Sequence, residues 1–284
     1  MLNAELVRLP TAAIRHTTHL FDSLERASFD VRVYSRMKFG CGDSARVLGT
    51  EMAEAFAAEH WDLLSNERAV VIPAPSTTVP VAATLMGWHF HNRLNVLLDR
   101  SGLPPVEWNL IHRAVTYNDN YASLSLAERR RLLSEDSRYV NVEFLRGKAL
   151  IFVDDVRITG THEEKLSYML NERCLQGTTV FATYAAYSGD DPSIEHRLNH
   201  CEVRDGLCVA KLSRARNWSV TTRGLRLLLE CDAETFAKIL ETMETHRLEE
   251  FYEGSIVKGY NTHEPYADNM ESLRAHLRQR SRWW

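Results

Sequence analysis

The chain has no excess of positive charge, no paired-cysteine spacing and no long apolar run. Its 34 basic residues are outnumbered by 38 acidic ones, for a net charge of -4. No global basic surface therefore argues for nucleic acid, and the longest basic cluster, Arg129-Arg130-Arg131, is too short to change that balance. Five cysteines (Cys41, Cys174, Cys201, Cys208 and Cys231) are odd in number and contain no CxxC pair. That usage fits a reduced chain and not a disulfide framework. No apolar stretch reaches the roughly 18 residues of a membrane helix. Residues Met1 to Glu5 lack the basic and apolar regions of a signal peptide, so a cytoplasmic location without membrane contact is the expectation. A Walker-type GxxxxGK motif is missing, which disfavours a P-loop ATPase. His89 and His91 are two apart and share no helix face, while His196 and His200 are spaced for one face without forming HExxH. Neither pair predicts a metal site. Internal repeats and low-complexity tracts are also missing.

What is present is an apolar core and one dense motif. The 284 residues, 44% of them hydrophobic, can form one enlarged domain or two small ones. The motif runs from Ala149 to His162: an apolar segment, Asp154-Asp155, a short turn holding Thr159-Gly160-Thr161, and a helix-like stretch from Glu163 to Asn171. That order reads as strand, loop, helix N-terminus. Amide N–H groups at such a junction, with the helix dipole, form an anion site. Carboxylates at the carboxyl end of a strand lie where open α/β sheets bind ligands. Adjacent strand residues point to opposite faces, so both carboxylates can share a site only if they sit at the strand-to-loop bend. Hydroxyl or metal ligation beside a phosphate cradle suggests a phosphorylated sugar.

Elsewhere the pattern predicts alternating elements. Residues 11–25 read as a helix and 30–34 as a short strand. Asp43 can cap a helix to about Ala58, with Val47, Leu48, Met52, Ala55 and Phe56 on one side. Ala69 to Ile72 reads as a buried strand broken at Pro73-Ala-Pro75. Ser76-Thr77-Thr78 leads into a helix from about Val79 to His91, and Leu94 to Leu98 reads as another strand. Asn109 to Tyr121 reads as a loop or irregular hairpin. Ser125-Leu-Ala-Glu128 is a capping box for a short helix through Leu133. Thr178 to Tyr187 and Leu207 to Leu212 read as further strands. Asp232 can cap a helix carrying Phe236, Ile239, Leu240 and Met243, and a last helix covers Asp268 to Arg280. Strands alternating with helices predict an α/β fold, a mostly parallel sheet with helices on both faces. The expected organisation is an N-terminal segment, 1–34, as a candidate hood element, an α/β core over 35–215, and a helical C-terminal appendage over 216–284.

The 149–162 motif resembles the ribose-phosphate loop of the type I phosphoribosyltransferases. It departs at Ile158, where a small hydroxyl residue is common, and at His162, where Thr or Ser usually closes the loop. Residues 124–131 and 145–155 are similar to the competence-associated branch of these proteins, and the resemblance extends to the divergent branch encoded in tellurite-resistance clusters. It covers roughly residues 35–212.

The resemblance implies a type I phosphoribosyltransferase fold and magnesium-dependent transfer of a phosphoribosyl group between phosphoribosyl pyrophosphate (PRPP) and a nitrogenous acceptor. Asp154 and Asp155 would contact the ribose hydroxyls, directly or through Mg2+. Ile158, Thr159, Gly160, Thr161 and His162 would wrap the 5-phosphate, mainly with side-chain-tolerant amides. Ser76, Thr77 and Thr78 occupy the place of the pyrophosphate loop, and Arg113 the mobile catalytic lid. Lys38 and Gly40 are weaker candidates for the ribose-phosphate site, because residues 34–38 read more simply as an edge strand. Expected partners are PRPP or a nucleoside monophosphate and an unidentified acceptor, without nucleic acid, and a homodimer by analogy. The rival reading is a non-catalytic PRPP or nucleotide sensor, favoured by the departures at Ile158 and His162. A nucleic-acid accessory role is a weaker third. Asp154 and Asp155 are both expected at a cleft surface, so that converting both to Asn abolishes turnover without unfolding the chain.

Overall fold

The computed structural model describes residues 13–113, 138–191 and 193–280. Five strands form one all-parallel sheet: β1 (Ala13–Phe21), β2 (Ala69–Pro73), β3 (Glu107–Trp108), β6 (Ala149–Arg157) and β7 (Thr179–Tyr187), in the spatial order β1-β7-β6-β2-β3. A two-stranded antiparallel ribbon pairs β4 (His112–Arg113) with β5 (Arg138–Tyr139). Of the expected loop or hairpin over Asn109 to Tyr121 the description reaches residues 109–113, and His112 and Arg113 lie in this ribbon. The capping-box helix, Arg129 to Arg131 and the terminal Trp283-Trp284 lie outside the described residues.

The central strands are apolar without alternation because both faces are covered. Val71, Ile151, Val153 and Ala182 face one layer, with α2 (Gly42–Glu59) and α4 (Ala82–Arg100). Val70, Ile72, Leu150, Phe152 and Phe181 face the other, with α5 (Val142–Leu145) and α6 (Thr161–Glu172). The order in which strands are added reverses between β2 and β6: the crossover to β3 proceeds outward on one side through α4, and that to β7 on the other through α6. The carboxyl ends of β2 and β6 therefore flank a topological switch point, the crevice where such sheets bind ligands.

Five local expectations are corrected. Residues 13–21 are a strand, not a helix: β-branched Ile14, Thr17 and Thr18 suit the sheet edge, where one side stays half exposed. Residues 31–38 are a helix, α1 (Val31–Lys38). Asp30 caps it by accepting from the Arg32 and Val33 amides at 2.8 and 3.2 Å. Its buried positions, Tyr34, Ser35, Met37 and Lys38, follow a helical period. Leu94 and Leu98 belong to α4, continuing the four-residue spacing of Met86 and Phe90. Residues 206–212 are α8 (Gly206–Leu212), begun by Asp205 accepting from the Cys208 amide at 2.8 Å. On α2, Val47 is exposed whereas Leu48, Met52 and Phe56 are buried.

The remaining helices are α3 (Trp61–Asn66), α7 (Ile194–His200), α9 (Thr222–Leu229), α10 (Ala233–Thr242), α11 (Thr245–Val257) and α12 (Ala267–Arg280). The C-terminal helices enclose their own apolar cluster around Leu228, Phe236, Ile239, Phe251 and Leu273, which Phe39 and Val79 join from the N-terminal half. The two parts are clamped where α1 passes into α2. The Thr221 hydroxyl donates to the Lys38 carbonyl at 3.2 Å, Trp218 Nε1 to the Phe39 carbonyl at 2.8 Å, and the Ser219 amide to the Gly40 carbonyl at 3.0 Å. Gly40 has φ +98°, and a Cβ there would meet the Ser219 carbonyl oxygen at 2.0 Å, so only glycine permits this approach.

Candidate functional site

A cavity of about 360 Å³ opens at the switch point. Pro73 and Ala74 line it from the end of β2, Asp154 and Asp155 from β6, and residues 158–162 from the turn into α6. Thus the structure brings Asp154, Asp155, Ile158, Thr159, Gly160, Thr161 and His162 into one concavity.

The turn explains itself locally. Gly160 takes the left-handed conformation, φ +78°, at the N-cap of α6. The Thr159 and Thr161 hydroxyls lie 2.9 Å apart, and the Thr161 amide reaches Thr159 Oγ1 at 3.5 Å. The first-turn amides of α6 have no intrahelical acceptor and offer donors to an anion.

β6 continues straight through Arg157, so the two carboxylates precede the bend instead of sitting in it. They consequently diverge. Asp155 Oδ2 accepts from Lys38 Nζ at 2.5 Å, and its Oδ1 accepts from the Val156 amide at 2.8 Å. Asp154 Oδ2 lies 2.8 Å from His162 Nδ1, and its Oδ1 accepts from the Asp155 amide at 2.9 Å. Asp155 is 4% exposed, which corrects the expectation that both carboxylates are surface groups. Asp154 is half-buried and retains access to the cavity.

Lys38 therefore backs the site through Asp155, carried on a helix and not an exposed edge strand. Its ammonium lies 5.6 Å from the Tyr34 ring centroid. Burial, then the charge of Asp155, pushes the Tyr34 hydroxyl well above its usual value, so it stays protonated; it is buried without a hydrogen-bond partner.

The donor set bears on magnesium. Asp154 and Asp155 supply hard oxygens of the kind Mg2+ prefers. A bare ion on Asp155 would sit against the Lys38 ammonium. The pair fits a magnesium ion delivered with a phosphate ester, contacted through hydroxyls or water.

Four further charged residues, not singled out from the sequence, line the same cavity: Arg157, Glu163, Lys165 and Glu195. Glu163, buried in the first turn of α6, is held by Arg15 Nε at 2.7 Å and lies 3.5 Å from Arg157 Nε. The Arg15 pair joins β1 to α6 across 148 residues, a relation with no local sequence signal.

Ser76, Thr77 and Thr78 continue the loop that begins at Pro73-Ala74. Ser76 is buried, and Thr77 Oγ1 lies 3.2 Å from Lys258 Nζ at the end of α11. Arg113 lies on β4, where it pairs with Arg138.

A second cavity, about 720 Å³, shares no lining residue with the first but is linked to it by the Lys38–Asp155 ion pair. It is lined by Lys38, His196, His200, Arg204, Arg223 and Arg226, with Glu230 as its acidic residue. Burial, then His196 and Arg223, lowers the His200 pKa. Glu195, which lines the first cavity, lies 3.5 Å from the Arg223 guanidinium of the second.

No described helix is long and apolar enough to cross a membrane. A search of curated proteins finds no match to the chain. The family model described as PRTase ComF-like, in contrast, matches residues 14–273, from β1 into the middle of α12. With its all-parallel sheet consistent with the type I phosphoribosyltransferase fold, the chain belongs to the ComF-like phosphoribosyltransferase family.

Proposed function

We propose that this protein transfers a phosphoribosyl group between PRPP and a nitrogenous acceptor that carries an anionic group. The observation that carries this reading is the single cavity at the β2–β6 switch point, where Asp154, Asp155 and the 158–162 turn converge in a chain of this family. The turn and the first amides of α6 would hold the 5-phosphate, with Arg157 and Lys165 adding positive charge. Asp154 would accept from a ribose hydroxyl. Asp155, oriented by Lys38, would face the other.

In the forward direction a bond forms between the acceptor nitrogen and the anomeric carbon. The bond from that carbon to the pyrophosphate oxygen breaks, pyrophosphate leaves with the electron pair, and the acceptor nitrogen loses a proton. Positive charge develops on the sugar, as in glycoside hydrolysis, so carboxylates beneath the ring stabilise the transition state. Mg2+, when bound with PRPP, would neutralise the departing pyrophosphate. The acceptor would approach through the neighbouring cavity, whose lining carries four cationic side chains, Lys38, Arg204, Arg223 and Arg226, against Glu230. That balance favours a carboxylate- or phosphate-bearing acceptor over a neutral base.

The test is pyrophosphate release from PRPP and Mg2+ across amines and heterocyclic bases, with and without an anionic substituent. Release with an anionic acceptor is expected, and combined Arg223→Ala and Arg226→Ala should raise KM for it without changing PRPP affinity. Preference for a neutral acceptor contradicts the anionic assignment. PRPP binding without release from any acceptor favours the sensor reading, which one contact supports: His162 occupies the Asp154 oxygen that a ribose hydroxyl would otherwise approach.

A further inference from the structure

We propose a zinc site at His16, Glu59 and His60, remote in sequence from the 149–162 motif. His16 lies on edge strand β1, Glu59 ends α2 and His60 is its C-cap. His16 Nδ1 is 2.6 Å from Glu59 Oε2, and His60 Nε2 is 3.7 Å from Glu59 Oε1. One ligand atom from each residue lies within 4.8 Å of the others. The two oxygens of one carboxylate thus face two imidazoles.

A second observation points to an ion. His60 Nε2 is buried without any hydrogen-bond partner, and the His60 side chain is only 10% exposed. Proteins rarely leave a buried polar atom unpaired, and the nitrogen is aimed toward a carboxylate it does not reach. A metal ion between them would satisfy both.

The surroundings suit the assignment. Phe56 packs against both rings, at 5.2 Å from His16 and 4.6 Å from His60, and closes the inner side. The Glu59 side chain is 55% exposed, leaving an open outer side for entry and for a water ligand. The second nitrogen of His16 lies 3.3 Å from Thr18 Oγ1, an outer contact of the kind that orients a ligating ring. Two imidazole nitrogens and one carboxylate oxygen suit zinc, with water as the fourth ligand; Mg2+ and Ca2+ prefer all-oxygen sets. The ion would staple the outermost strand to α2.

The full-length protein, stripped with a chelator, should be titrated with Zn2+ by calorimetry and with Co2+ by visible absorption. One equivalent of each is expected, with the intense bands of four-coordinate Co2+. His60→Phe and, separately, Glu59→Ala should weaken binding by more than the roughly 10–100-fold that loss of an outer contact costs. Glu59 is largely exposed, so its variant tests the site even if the His60 variant misfolds. His196→Gln with His200→Gln should leave the Co2+ spectrum unchanged. A six-coordinate spectrum, binding retained in Glu59→Ala, or binding lost only in the His196 and His200 double variant would each overturn the assignment.

Discussion

The Lys38 ammonium donates to Asp155 Oδ2 at 2.5 Å, joining two residues 117 positions apart. Both side chains are largely buried, at 11% and 6% exposure. The pair ties the end of α1 to the floor of the cleft, and the backbone of Lys38 is in turn held by Thr221. The C-terminal helices thereby help to position a charged group at the candidate site.

Removing one partner of this pair strands a buried charge, which costs about 3–5 kcal/mol. Lys38→Met should lie near the lower end, because Asp155 keeps the Val156 amide. Combining it with Asp155→Asn should cost less than the sum of the single losses. Urea unfolding of the four proteins checks this; strict additivity would show that the two groups do not interact.

Gly160 and Gly147 both have positive φ, +78° and +72°, and an added Cβ meets nothing within 4 Å at either. Replacing either by Ala should therefore impose a similar backbone cost, about 1–2 kcal/mol. Only Gly160→Ala should also weaken PRPP binding, because only Gly160 shapes the phosphate turn. Denaturation and calorimetry on both variants separate the two effects. Equal PRPP affinity in both would remove the turn from the site.

Glu107 starts β3, and its carboxylate pairs with Lys148 and, at 2.7 Å, with Arg68. The hydrogen bond from Lys148 is the main cause holding its pKa below the usual 4.5, with Arg68 adding to it. The folded state therefore releases this proton more readily than the unfolded one. Its stabilisation is fully present above pH 4.5 and is lost as pH falls through the depressed value. Glu107→Gln should cost up to ~1 kcal/mol at pH 7, since Glu107 is partly exposed. The difference from the parent protein should shrink as unfolding is measured at successively lower pH below 4.5, and a difference that grows instead would contradict the pairing.

The strand-turn-helix at 149–172 was legible because every signal in it is local: an apolar run, two acids, a glycine for the left-handed N-cap and a helix. Strands 69–73 and 179–187 and the last helix were legible for the same reason. Lys38 was not, because its meaning depends on Asp155, and because Val31 and Val33 alternate like a strand until Asp30 caps them as a helix. Nor was β1, whose strand character comes from pairing with β7, 166 residues further on at Ala13 and Thr179. The His16–Glu59–His60 cluster likewise exists only once β1 is laid beside α2.

The central claim is that Asp154 and the turn after it hold a phosphoribosyl group. The most direct measurement is calorimetric titration with PRPP, with and without Mg2+, of the parent protein and of Asp154→Asn. Asp154 is half-buried and not in the Lys38 pair, so this variant should fold. The account predicts magnesium-dependent PRPP binding by the parent and at least tenfold weaker binding by the variant, about 1.4 kcal/mol or more. Equal affinity for the two proteins, or no PRPP binding by the parent, would contradict it.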